Sequence, residues 1–142
     1  MVVGSAVSPD EFAEAAMARQ TFSTSDAPAP VAQYSQAARV GPVVAVAGQV
    51  GIDPGTGAVA GPGVAEQTRQ TMANVVAVLQ AAGLTLDDVV RMDCYVTDAA
   101  DVPAFNEAYA AWFPASPPAR TTVVAGLMDG LRVEVTALAV AG

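Results

Sequence analysis

Histidine and lysine are both missing from this chain, and its only cysteine is Cys94. Without histidine, a Ser-His-Asp triad, a Cys-His dyad and every His-ligated metal site are excluded. Without lysine there is neither Schiff-base catalysis nor covalent attachment of pyridoxal phosphate. A lone cysteine forms no intramolecular disulfide and no Cys-rich metal centre. Positive charge is scarce as well: six arginines face 14 acidic residues, for a net charge of −8. No basic stripe can track a phosphate backbone, which argues against nucleic acid as a partner. No apolar run approaches the roughly 18 residues of a membrane span. Met1 to Ser8 carry no positively charged n-region of a secretory signal, so the expected location is the cytoplasm. Chemistry is left to Arg, Asp/Glu, Tyr, Ser/Thr, Asn/Gln, backbone groups and water.

What is present is apolar. Hydrophobic residues make up 53% of the 142, enough for one domain with a core of its own. A mean hydropathy of +0.41 points to some apolar surface being buried between subunits. Residues 1–20 read as an N-terminal extension, in which Ser8-Pro9-Asp10-Glu11 caps a short helix running to about Arg19 or Gln20. Residues 21–142 form a single domain. Thr21 to Ala32 is an irregular lead-in, and the ordered core is expected near Tyr34.

From there the punctuation is clear. Tyr34–Val40 and Val43–Gln49 flank Gly41-Pro42 as a hairpin, and Asp53-Pro54-Gly55-Thr56-Gly57 is a turn. Thr68, Met72, Val75, Val76 and Leu79 recur at helical spacing over about Ala65–Ala82, with Gly83 as the stop. Val89–Val96 is a strand with Met92, Cys94 and Val96 on one face, which makes Cys94 a packed small hydrophobe. Asp98 caps a second helix over about Ala100–Trp112, striped by Val102, Phe105 and Tyr109. Two final strands follow. Pro117-Pro118 forces an extended entry to Arg120-Thr121-Thr122-Val123-Val124, and Leu131–Val140 alternates Leu131, Val133, Val135, Ala137 and Ala139 against Arg132, Glu134, Thr136 and Leu138. The order predicts an α+β fold: one mixed sheet, two helices on one face, and an open face for another subunit to cover.

Arg120 and Glu134 are the residues whose type is hardest to explain by packing. Arg120 is either a rim residue whose head reaches water or a grip for a carboxylate or phosphate, which its planar donor fork fits bidentately. Glu134 is either a solvated face residue or a half-buried carboxyl with a pKa tuned for proton transfer. If their strands are neighbours across a short turn, the two meet in one pocket. Gly48 permits a bulge or the close approach of a ligand. Asn106 lies beside the helix stripe.

From about Phe22 onward the chain resembles the Rid family (RidA, YjgF/UK114) of reactive imine and enamine deaminases. The resemblance rests on Ser23-Thr24-Ser25-Asp26-Ala27-Pro28, Tyr34-Ser35-Gln36, Val46-Ala47-Gly48-Gln49, Asp53-Pro54-Gly55-Thr56-Gly57, Asn74-Val75, Asn106-Glu107-Ala108-Tyr109, Pro118-Ala119-Arg120 and Val133-Glu134-Val135, in that order. It implies a chorismate-mutase-like fold assembled as a homotrimer with a central β-barrel and pockets between subunits. It also implies hydrolysis of 2-imino or 2-enamino acids such as 2-aminoacrylate to 2-keto acids and ammonia, without cofactor or metal. In that reading Arg120 holds the substrate carboxylate and Glu134 positions the hydrolytic water, with Tyr34, Gly48, Asn106 and Thr122 lining the pocket. Thr122 stands where many members carry a cysteine, Ala32-Gln33 where Gly-Pro is familiar, Ala47 in place of a serine and Thr136 in place of a second acid. Two further readings share the fold: a non-catalytic trimer that binds small carboxylates and regulates a partner, and a biosynthetic enzyme acting on a larger imine.

Overall fold

The computed structural model describes residues 4, 6, 8–11 and 18–142. Its longest helix is α1, Val64–Ala81. Thr68, Met72, Val75 and Leu79 of the predicted stripe are fully buried, whereas Val76 is only partly buried and Val78 takes the core position instead. Gly83 ends it in the left-handed region at φ +76°. There Gly83 N–H donates to Gln80 O (2.9 Å) and Leu84 N–H to Leu79 O (2.9 Å), satisfying carbonyls that the last turn leaves open. The second helix, α2, spans Val102–Ala110 and follows a 3-10 turn at Ala99–Asp101. Asp98 starts that turn, its Oδ1 accepting from Ala100 N–H at 2.9 Å.

Six strands form one sheet: β1 Gln20–Phe22, β2 Ala37–Val40, β3 Val43–Val50, β4 Val89–Val96, β5 Ala119–Val124 and β6 Val133–Val140. Their order is β1-β2-β3-β6-β4-β5. All neighbours are antiparallel except β4 and β5, which run parallel. Both helices lie on one face, over a core that includes Val44, Val46, Met92, Cys94, Val96, Val133, Val135, Ala137 and Ala139. This is the mixed α+β sheet that the pattern predicts. The alternate residues face outward: Val40, Val43, Val123 and Val140 are each 40% or more exposed. No helix among the described residues is long and apolar enough to cross a membrane.

Several boundaries differ from expectation. The core begins before Tyr34, because Gln20–Phe22 pairs with Ala37–Arg39 as an edge strand and Ala27 is buried. Tyr34 itself lies in a loop, since the lead-in is folded around the buried Gln36. The Gln36 Nε2 donates to the carbonyls of Thr24, Ala27 and Pro28, while its Oε1 accepts from Thr24 N–H at 2.6 Å. The last strand starts at Val133 rather than Leu131, because Arg132 N–H is drawn to Gln67 Oε1 at 2.8 Å. The second helix is shorter than its stripe predicts and stops before Trp112. At the N-terminus Ser8 and Glu11 do form a reciprocal capping pair around the helical turn Pro9–Glu11. The continuation of that helix through residues 12–17 falls outside the described residues, and its expected end at Arg19 or Gln20 is corrected, since Ala18 is a bend and Gln20 already pairs in β1.

Candidate functional site

Register decides where Arg120 points. Strand β5 pairs Arg120 with Met92 and Thr122 with Cys94, so both side chains lie on the helix face. Helix α2 passes over them there. Arg120 Nη2 donates to Asn106 Oδ1 at 2.8 Å. Its Cζ sits 4.9 Å from the ring centroid of Tyr109 and 5.5 Å from that of Phe105. Such contacts contribute about 0.5–1 kcal/mol at an exposed site. No carboxylate pairs with Arg120: among the described residues the ion pairs are Arg91–Asp93 at 3.4 Å and Arg132–Asp101 at 3.1 Å. The side chain is exposed, as a rim arginine would be. Yet a neutral amide and two aromatic faces hold it, which leaves its full charge for an external anion.

A cleft of about 360 Å³ opens beside the guanidinium, lined by Asn106, Tyr109, Ala110, Phe113, Pro117, Pro118 and Arg120. Its proline wall follows Ser116, which holds φ +50° and is the only non-glycine residue with positive φ among those described. Holding an L-residue there costs about 1–2 kcal/mol. Behind Arg120 the surroundings become dry. Burial pushes the Cys94 thiol up to about 12, against the smaller opposing pull of Arg120, so Cys94 is a packed thiol and no nucleophile. Burial likewise pushes the Tyr109 phenol up to about 12. The hydroxyls of Tyr109 and Thr122 are buried without a protein partner.

Glu134 belongs to the other face. Strand β6 pairs it with Tyr95 of β4 and Val50 of β3, out of phase with the buried Val133 and Val135. The register of β3 against β6 shifts between Val46 and Gln49, so Gly48 sits at an irregularity within the strand. It is also a point of close approach. A Cβ on Gly48 would stand 2.9 Å from both Cδ and Oε1 of Glu134. Burial raises the Glu134 carboxyl above its ordinary value, which favours a carboxyl that can take and return a proton. Tyr34 lines a separate cleft of about 610 Å³ with Arg19, Gln33, Ser35, Ala45 and Ala47, next in sequence to Gly48. Its Oη accepts a long hydrogen bond from Val31 N–H at 3.4 Å.

The six candidate residues therefore fall into two groups. Arg120, Asn106 and Thr122 share the helix face, while Glu134 and Gly48 share the open face, with Tyr34 at its edge. The expectation that the strands of Arg120 and Glu134 are neighbours is corrected: β4 intervenes, and the two side chains leave opposite sides of the sheet. The cause is the connection from Ala125 to Arg132, which carries β6 past β5 to the far side of β4 instead of folding back as a hairpin. Sequence reading missed Phe105 and Tyr109 as the surface under Arg120, though Tyr109 stands one turn from Asn106, a spacing that puts both on one side of a helix.

Residues 24–141 match the family described as Endoribonuclease L-PSP. A RutC family protein of Saccharolobus solfataricus is 42% identical over 122 residues, covering 85% of this chain and 97% of its own. The 2-iminobutanoate/2-iminopropanoate deaminase of Mus musculus is 40% identical over 125 residues, covering 87% and 93%. Among solved structures, RidA from an Antarctic Psychrobacter superposes with a TM-score of 0.81 at 39% identity, covering 85% of this chain and 98% of that one. Escherichia coli TdcF with bound serine gives 0.82 at 33% identity, covering 87% and 99%.

Proposed function

The chain belongs to the Rid family, that of the RidA and RutC proteins, and on that premise we propose that it is a cofactor-independent deaminase. It hydrolyses reactive 2-imino and 2-enamino acids, such as 2-aminoacrylate and its imine, to 2-keto acids and ammonia. The observation that carries this reading is the Arg120 guanidinium, ordered by Asn106 and two aromatic rings but paired with no carboxylate among the described residues. Held in this way at the cleft mouth, the guanidinium keeps donors free for a ligand, and a small carboxylate matches its fork. The acidity of the chain, at −8, argues against RNA as the substrate despite the description of the family.

Since Arg120 and Glu134 leave opposite faces, the pocket is completed by a second copy of the chain. We assign a homotrimer in which one subunit supplies Arg120, Asn106 and Thr122, and its neighbour supplies Glu134, Gly48 and Tyr34. The exposed valines of the open face fit burial in such an assembly. The assembly acts on small acids in the cytoplasm.

The substrate carboxylate takes the free donors of Arg120. Glu134, as carboxylate, accepts a proton from water, and the water oxygen bonds to the imine carbon while the C=N pair moves to nitrogen. Glu134 returns that proton to nitrogen, giving the neutral carbinolamine; it then takes the proton of the new hydroxyl and passes it to nitrogen, so that the C–N bond breaks, the hydroxyl oxygen becomes the keto oxygen and ammonia leaves. The substrate is already electrophilic, so orientation together with general-base help of about 10²- to 10⁴-fold suffices. The test generates imine in situ with an amino-acid oxidase and follows keto acid and ammonia. Wild-type protein accelerates their release and Arg120→Ala does not; equal rates for the two would overturn the reading. The alternative, a trimer that binds small carboxylates to regulate a partner, draws on the serine bound to TdcF and predicts saturable binding without turnover.

A further inference from the structure

The cleft beside Arg120 has a composition that the grip alone does not require. Next to the guanidinium it presents the ring of Tyr109, Ala110, Phe113 and the Pro117-Pro118 pair. The rings of Tyr109 and Phe113 pack tilted at 43° with centroids 5.0 Å apart, which makes a continuous aromatic floor. The Tyr109 hydroxyl is not part of that floor, because it is buried on the inner side. Asn106 is the one other polar side chain of the lining, and its carbonyl oxygen is already engaged by Arg120. The opposite wall is rigid: both prolines have fixed φ, and the chain reaches them through the strained Ser116.

We infer that this cleft is a side-chain subsite, selecting 2-imino acids with a bulky apolar side chain, of the kind derived from leucine or phenylalanine, over those of alanine size. The inference rests on the deaminase reading and sharpens its substrate class. With the carboxylate on Arg120, the substituent on the imine carbon has this cleft next to it. An apolar substituent gains by leaving water for the rings and prolines, whereas a polar one loses hydration and finds little beyond the Asn106 amide N–H to replace it. At about 360 Å³ the cleft lies at the small end of ligand sites, a size that an alanine-derived imine leaves mostly unfilled.

The experiment supplies imines from alanine, leucine and phenylalanine by amino-acid oxidase, with rates normalised to imine supply. It compares wild type with Ala110→Leu, a change at an exposed helix position that fills the cleft. Because a single methylene in an apolar pocket discriminates by about 10- to 200-fold, wild type is expected to favour the leucine-derived imine by ~10-fold or more in kcat/KM. Ala110→Leu should bring that ratio toward one. An alanine-derived imine handled as fast or faster, or a ratio untouched by Ala110→Leu, would overturn the subsite while leaving the deaminase reading intact. Acceleration of none of the three imines overturns the deaminase reading and the subsite with it.

Discussion

Arg120 and Glu134 leave opposite faces of one sheet, with β4 between their strands and their register partners, Met92 and Tyr95, three positions apart. Neither group is complete by itself. Arg120 has order and charge but no base near it, and Glu134 has a raised pKa and a glycine pressed against it but no cation. A reaction that needs both requires a second chain, so the energetics of assembly and the chemistry are tied together.

Gly48→Ala tests the open-face group. The added Cβ meets the far end of the Glu134 side chain at 2.9 Å, and that flexible end yields. The fold should lose less than about 1 kcal/mol in chemical unfolding, a typical figure for a surface change. The carboxylate is displaced nonetheless, and a shift near 1 Å at a reacting group can cost about 10²-fold, so kcat should fall while KM changes little. Unchanged kcat in a well-folded Gly48→Ala protein would separate Gly48 from the chemistry.

The pH profile tests Glu134. Burial raises its carboxyl in the folded state above the ordinary 4.5. A base must be deprotonated, so kcat/KM should climb with pH through that raised value and level off above it. Glu134→Gln should give a lower rate without this limb. Stability has the opposite slope: the group's favourable contribution is fully present below its unfolded pKa and is lost as pH rises through the raised folded one. The effect is damped because the carboxyl is only partly buried. An acid limb of equal position in Glu134→Gln would assign it to another group.

Gln67→Ala tests what holds the frame. The Gln67 side chain is fully buried, donates to Gly61 O and Gly130 O at 2.9 Å each and accepts from Arg132 N–H at 2.8 Å. Truncation leaves three backbone groups without partners and opens a cavity, which should cost about 3 kcal/mol in unfolding free energy. A loss below ~1 kcal/mol would mean that water replaces the clamp at no net cost.

The helices and long strands were legible because their signals are local. The spacing of Met72, Val75 and Leu79 with Gly83 behind them fixes α1, and the alternation of Val133, Val135, Ala137 and Ala139 fixes β6. What was not legible is pairing. Nothing in the residues from Gly126 to Gly130 says that β6 crosses to the far side of β4, and that one topological fact decides whether Arg120 and Glu134 meet within a chain. The three-residue β1 was equally hidden, because its polar Gln20 and Thr21 gain their structure only by pairing with β2. Arg120 and Glu134 could be singled out as chemistry, since charge within valine-rich strands is itself a local signal. Their separation is a global one.

The most direct measurement is subunit complementation. Arg120→Ala and Glu134→Gln proteins, each strongly impaired alone, are co-expressed so that mixed assemblies form, and imine hydrolysis is followed. If each pocket takes its arginine from one subunit and its glutamate from the next, every mixed trimer regains one intact pocket, and random mixing restores about a quarter of wild-type activity. Mixed assemblies as inactive as either parent would contradict the shared pocket.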